Sequence, residues 1–153
     1  MEIIAYSDKR KDETIQFVIS ILEGEFGYTG FERPDLYNIE KTYQQDKKSN
    51  FWLAILDDKV IGTIAVKDYG NNRGFIKRLY VDKRMRSKGI GQRLMKTLLE
   101  FARDSGFEVL YTSTVEEFMS ARNFYEKNGF IEIGRLPKDI SNPGDNIFLE
   151  LKL

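Results

Sequence analysis

Along this chain the apolar residues change period several times, and each change marks an element. "EIIAYS" (2–7) predicts a short first strand, with Ser7 or Asp8 placed to cap the helix after it. In "ETIQFVISILEGEFG" (13–27), Ile15, Val18, Ile19 and Leu22 share one helical face, and Gly24 and Gly27 end the helix. "GYTGFERPDLYNIEKTYQQD" predicts a glycine-punctuated loop and a second helix, with Pro34 suited to its first turn. Two apolar runs in "FWLAILDDKVIGTIAV", joined at Asp57-Asp58-Lys59, form a hairpin signal. "DYGNNRG" is a turn and "FIKRLYV" (75–81) a strand. Residues 89–104 carry Ile90, Leu94, Leu98 and Ala102 on one stripe, with Gly106 just beyond. "EVLYTST" is a strand, "EEFMSARNFYEKNG" a helix, and "FIEIGRL" and "NIFLELKL" close the chain as strands. The order β-α-α-β-β-β-α-β-α-β-β predicts an α/β fold with a mixed sheet and helices on both faces, residues 1–153 forming a single domain.

Composition removes several chemistries. Lysine and arginine number 24, as do aspartate and glutamate, so bulk charge points to neither nucleic acid nor membrane as a partner. With no cysteine there are no disulfides and no thiolate nucleophiles; with no histidine, the Ser-His-Asp triad and the usual zinc sites are excluded, and no metal is expected. "MEIIAYSDKRKDE" is too charged for a signal peptide, and no long apolar run could span a bilayer. A soluble, cytoplasmic protein is the expectation.

Against this neutral background, "RMRSKGIGQRL" (84–94) crowds its positive charge around two glycines at a helix start. A strand feeding such a turn is suited to phosphate, because the first helical N–H groups lack backbone partners and the helix dipole favours an anion. Gly89 and Gly91 would admit the ligand close to the backbone. Lys83, Arg84, Arg86 and Lys88 would supply positive charge around it. A Walker A loop fails, since Gln92 and Arg93 follow Gly91, and a dinucleotide fingerprint fails at Leu94. Taken alone, the stretch also reads as a solvated basic loop whose glycines merely start a helix.

The longer segment "IKRLYVDKRMRSKGIGQRLMKTLLEFAR" resembles the central motif of the GNAT family of acyl-CoA-dependent N-acyltransferases. The family's Arg/Gln-x-x-Gly-x-Gly/Ala is met by Arg86-Ser87-Lys88-Gly89-Ile90-Gly91, and "ARNFYEKNGF" is similar to its next motif. The resemblance implies a mixed, mostly antiparallel sheet, and acetyl-CoA as acyl donor without a metal. It implies transfer of the acetyl group to a primary amine by direct attack in a ternary complex. Backbone N–H groups of Met85, Arg86, Ser87, Lys88, Gly89, Ile90 and Gly91 would bind the pyrophosphate. Leu79, Tyr80 and Val81 would pair with the pantetheine arm as if it were a strand, while their side chains also serve as plain packing.

Tyr125 matches the tyrosine that in this family often protonates the departing thiolate. Its structural alternative is an aromatic packed on the sheet. Two positions depart from the family pattern. Phe118 stands where many relatives carry asparagine, and "GFIKRLYV" offers no glutamate base. Glu116, Glu117, Asp68 and Glu25 qualify by type only, so the base is unassigned, and a water relay or an already neutral amine would serve as well. The first two helices and their loop usually line the acceptor side. There Phe26, Tyr28, Phe31 and Tyr37 alternate with Glu25, Glu32 and Asp35, which would suit a cationic amine or would simply staple helices beside solvated acids. The implied partner is a small-molecule amine or a peptide N-terminus, and family members often form homodimers. A non-catalytic acyl-CoA sensor of the same fold is the rival reading, and a nucleic-acid module built on "KRMRSK" a weaker one.

Overall fold

A computed structural model describes residues 1–153. The chain runs β1 (Glu2–Ala5), α1 (Lys11–Ile19), α2 (Pro34–Tyr37), α3 (Ile39–Tyr43), β2 (Asn50–Leu56), β3 (Lys59–Asp68) and β4 (Arg73–Val81). It continues through α4 (Ile90–Asp104), β5 (Val109–Thr114), α5 (Met119–Lys127), β6 (Ile131–Ile133) and β7 (Ile147–Lys152). The seven strands form one sheet in the order β1-β2-β3-β4-β5-β7-β6. Every pairing is antiparallel except β4 with β5. A parallel pair cannot be joined by a tight turn, and α4 supplies the crossover. The mixed, mostly antiparallel sheet is therefore as expected.

Local chemistry explains the connections. Asp57 and Asp58 both take positive φ, 51° and 61°, the conformation a two-residue hairpin needs in order to match strand twist. Arg10 closes over this turn, donating to Asp58 Oδ1 at 2.6 Å. On α4 the buried residues Ile90, Leu94, Met95, Leu98, Leu99 and Ala102 form a wide stripe. They pack on Trp52, Ala54, Ile64 and Val66 of the sheet, each large side chain contributing about 1.5–3 kcal/mol by burial. The opposite face carries Phe51, Leu53, Ile55 and Ala65 beneath Ile39 and Tyr43 of α3.

The first predicted helix is not continuous. It opens with a 3₁₀ turn (Asp8–Arg10), and after Ile19 it widens into a π-helical segment (Ser20–Glu25), where Phe26 N donates to Ile21 O at 3.0 Å. The wider turn slips the helical phase, so Ile21 and Leu22 are both buried while Ile15 and Ile19 are only half-buried. The second predicted helix breaks at Asn38 into α2 and α3.

Candidate active site

Strands β4 and β5 stay together only from Arg73↔Val109 to Phe75↔Tyr111, and then part. The cause lies in β4. Thr63 pairs with Tyr80 and Ala65 with Lys77, so two residues, Arg78 and Leu79, oppose Ile64 alone. This is a β-bulge, and Arg78 sits in it at φ +58°. Asp35 of α2 clamps the bulge, accepting from Arg78 Nε at 2.9 Å and Nη2 at 2.7 Å. Tyr43 donates to the same carboxylate at 2.7 Å, and Thr63 Oγ1 donates to Arg78 O at 2.7 Å. Burial alone would raise the Asp35 pKa, but Arg78 and Tyr43 outweigh it and hold the carboxyl below its ordinary value.

The parted strands open a cleft of about 700 Å³. One end is the 85–91 turn, where Ser87 (φ +64°) and Gly89 (φ +82°) both take positive φ. The first intrahelical bond of α4 runs from Arg93 N to Gly89 O, so the amides just before Arg93 lack helical acceptors. Gly91 lines the cleft, and a Cβ there would lie 3.7 Å from the Phe124 ring and 3.8 Å from Val81. A phosphate chain fits this cradle, and the edge of β4 beyond Phe75 is free of β5 to receive an extended amide arm.

Of the residues the motifs single out, Leu79, Tyr80, Val81, Arg86, Gly91 and Tyr125 line this one cleft. Met85 and Ile90 pack toward the α4 core, while Ser87, Lys88 and Gly89 are exposed on the turn. Part of the surrounding positive charge is paired within the protein. Arg86 is ion-paired with Glu25 and donates to Val81 O at 3.0 Å, while Arg84 is paired with Asp82 at 3.0 Å. These arginines strap the turn to its neighbours, leaving Lys83 and Lys88 as the exposed cations without ion-pair partners.

Tyr125 is buried on the α5 wall, edge-on to Phe124 and tilted against Phe130 at 5.8 and 5.6 Å between centroids. Burial pushes its phenol up to about 12, with the Thr112 hydroxyl partly offsetting the rise. The Tyr125 phenol is therefore protonated across the whole physiological range. Phe118 packs against Phe26 with ring centroids 4.9 Å apart and a 37° tilt, and it also meets Tyr28, so an aromatic wall stands where the family resemblance implies an asparagine. Phe26, Tyr28 and Phe31 line the cleft, whereas Tyr37 is exposed outside it.

None of the four acids that qualified by type lines the cleft. Glu116 and Glu117 are exposed, Asp68 accepts from Gly70 N in the β3–β4 turn, and Glu25 is held by Arg86. The carboxylate that does line it is Asp145, from "SNPGDN" before β7. Ser113 Oγ and Asn142 Nδ2 donate to its Oδ2 at 2.6 and 2.7 Å. Burial raises the Asp145 pKa against these two bonds. Sequence reasoning passed it over, since Asn-Pro-Gly-Asp reads as turn chemistry.

Comparison with known proteins agrees with this geometry. The family model described as "Acetyltransferase (GNAT) family" matches residues 15–130. A probable N-acetyltransferase camello of Xenopus tropicalis is 33% identical over 102 residues, covering 65% of this chain and 47% of that protein. An N-acetylaspartate synthetase of Danio rerio is 29% identical over 124 residues, covering 77% and 44%. The chain thus spans about half the length of the curated relatives it matches. Among solved structures, an acetyltransferase of the GNAT family from Staphylococcus aureus Mu50 superimposes with a TM-score of 0.91 at 35% identity, over 99% of this chain and 98% of that one. No helix is long and apolar enough to cross a membrane.

Proposed function

The chain belongs to the GNAT acetyltransferase family, and from that premise we propose that it carries an acetyl group from acetyl-CoA to a primary amine by direct attack, donor and acceptor bound together. The observation that carries the reading is the parting of β4 from β5, with Tyr125 on one wall and the glycine turn at one end. When bound, acetyl-CoA supplies an activated thioester. The first-turn amides of α4 and the left-handed turn at Ser87 and Gly89 would hold the pyrophosphate, and Leu79 to Val81 would orient the pantetheine arm along the free edge of β4. Tyr125 would hold a proton for the departing thiolate, its buried phenol staying protonated well above neutrality. Residues 1–153 would act as one unit, and the absence of cysteine fits the reducing cytoplasm.

The test is a pair of measurements. Acetyl-CoA at a hundred times its Kd stabilises the folded state by about 2.7 kcal/mol. For a domain of this size the melting temperature should then rise by about 5–10 °C. An amine panel followed by release of free thiol should show turnover. Stabilisation without turnover on any amine would leave an acyl-CoA-binding sensor, and the absence of both would overturn the reading.

A further inference from the structure

Most of the charge around the cleft is already committed within the protein. Arg33 is paired with Glu23 and bonds backbone carbonyls, Arg78 is locked to Asp35, and Arg86 is locked to Glu25. Two lining groups are left. Lys77 makes no ion pair and no hydrogen bond, and its ammonium lies 6.0 Å from the Phe75 ring centroid. Asp145 is the sole carboxylate of the lining, and both of its hydrogen bonds fall on Oδ2, leaving Oδ1 unengaged.

Their placement follows from strand alternation. Ile76 packs into the α4 core and Thr112 faces Tyr125, so their neighbours Lys77 and Ser113 project from the opposite face of the sheet. Ser113 holds Asp145 there, and the loop carrying it is pinned to β5, Asn146 N donating to Thr114 O at 3.1 Å. Lys77 on β4 and Asp145, held against β5 by Ser113, thus stand on one sheet face and form no ion pair with each other.

We propose that the acceptor is a free α-amino acid bound as a zwitterion, with Asp145 holding its ammonium and Lys77 its carboxylate. Asp145 Oδ1 takes one proton so that the neutral amine attacks the thioester, and the second proton lost from nitrogen replaces the one that Tyr125 gives to the departing thiolate. The proposal rests on the acetyltransferase reading and narrows its acceptor. Burial lowers the Lys77 pKa, with Asp35 offsetting only part of the fall, and raises that of Asp145 against its two hydrogen bonds, so each gains from a further counter-charge in the cleft. A peptide N-terminus would present an uncharged amide to Lys77 and leave that cation unpaired.

The experiment compares free L-amino acids with their α-carboxamides, which keep the amine and the side chain but lose the carboxylate. L-phenylalanine, L-leucine and L-aspartate are each assayed against the matching amide. In the wild-type protein, kcat/KM for the free acid should exceed that for the amide about tenfold to hundredfold, the range of a charge-assisted hydrogen bond. Lys77→Met should lower the free-acid value and bring the ratio toward one. Asp145→Asn should lower both values and keep the ratio, because acid and amide share the ammonium. Turnover with a wild-type ratio near one, or a ratio unmoved in Lys77→Met, overturns the zwitterion. The wild-type ratio decides the matter even if a variant fails to fold. Binding of acetyl-CoA with no acceptor turned over in either series would instead remove the acetyltransferase reading, and this inference with it.

Discussion

Asp35→Asn is the most revealing perturbation of this fold, because one carboxylate holds the strained residue that opens the cleft. The substitution keeps the shape and exchanges one acceptor oxygen for an amide donor, which then faces the donors of Arg78. The side chains of Asp35 and Arg78 are 16% and 17% exposed, so little solvent is at hand to replace the lost charge. Breaking a buried pair by changing one partner costs about 3–5 kcal/mol, and with this residual exposure about 3 kcal/mol is expected. At about 2–4 °C per kcal/mol for a domain of this size, the melting temperature should fall by ~6–12 °C. A second effect acts on the cleft. Holding a non-glycine residue left-handed, as Arg78 is at φ +58°, costs about 1–2 kcal/mol. Without Asp35 that strain drives Arg78 toward the extended region, which would remove the bulge and close β4 toward β5.

The assay is thermal melting with and without acetyl-CoA, together with titration of cofactor affinity. Asp35→Asn should weaken acetyl-CoA binding about tenfold or more, the equivalent of ~1.4 kcal/mol of lost cleft geometry. Asp35→Asn combined with Arg78→Gly should recover much of that affinity, since glycine adopts positive φ without strain and leaves no guanidinium unpaired. The pH dependence has a definite sign. The Asp35 pKa is depressed, so its contribution is complete above the ordinary carboxyl pKa and is lost as pH falls through the lower folded-state value. The gap between wild type and variant should therefore narrow at acid pH. A variant that melts within ~2 °C of wild type, or one that binds acetyl-CoA unchanged, would refute the clamp.

Two further substitutions probe the rest of the cleft. Gly91→Val should fold, because a Cβ at this position meets only ordinary contacts at 3.7–3.8 Å, yet its methyl groups should crowd the cradle and abolish acetyl-CoA binding; unchanged affinity in a folded variant would make the turn decoration. Tyr125→Phe keeps the contacts with Phe124 and Phe130 and should lower kcat by ~10²-fold or more at similar cofactor affinity, while near wild-type turnover would reduce Tyr125 to a packing residue.

What could be read from the sequence was whatever is encoded in neighbouring residues. The period of Ile90, Leu94, Leu98 and Ala102 places α4, and two adjacent aspartates place the β2–β3 turn. The glycine turn and Tyr125 are legible for the same reason, each lying in a contiguous motif whose spacing reflects one local geometry. The strand order was not legible in this way. β7 enters between β5 and β6 through pairings such as Thr112↔Leu149 and Glu132↔Leu149, which no local pattern announces. The bulge was hidden more deeply. Left-handed bulge positions favour glycine, and here an arginine occupies one because an aspartate 43 residues earlier holds it.

The same reasoning explains why the ion pairs of the motif arginines and the place of Asp145 are not legible in the sequence. A lone arginine beside a glycine turn reads as phosphate-binding until the fold brings Glu25 to it across 61 residues, after which the guanidinium serves as a strap. A lone aspartate in a Pro-Gly turn reads as turn chemistry until Ser113 and the parting strands place it on a cleft wall. In both cases the side chain is unchanged, and its role depends on whether a distant partner neutralises it. Arg86 is neutralised by Glu25, whereas Lys77, at the start of the same motif segment, has no ion-pair partner, and nothing in the local sequence distinguishes the two.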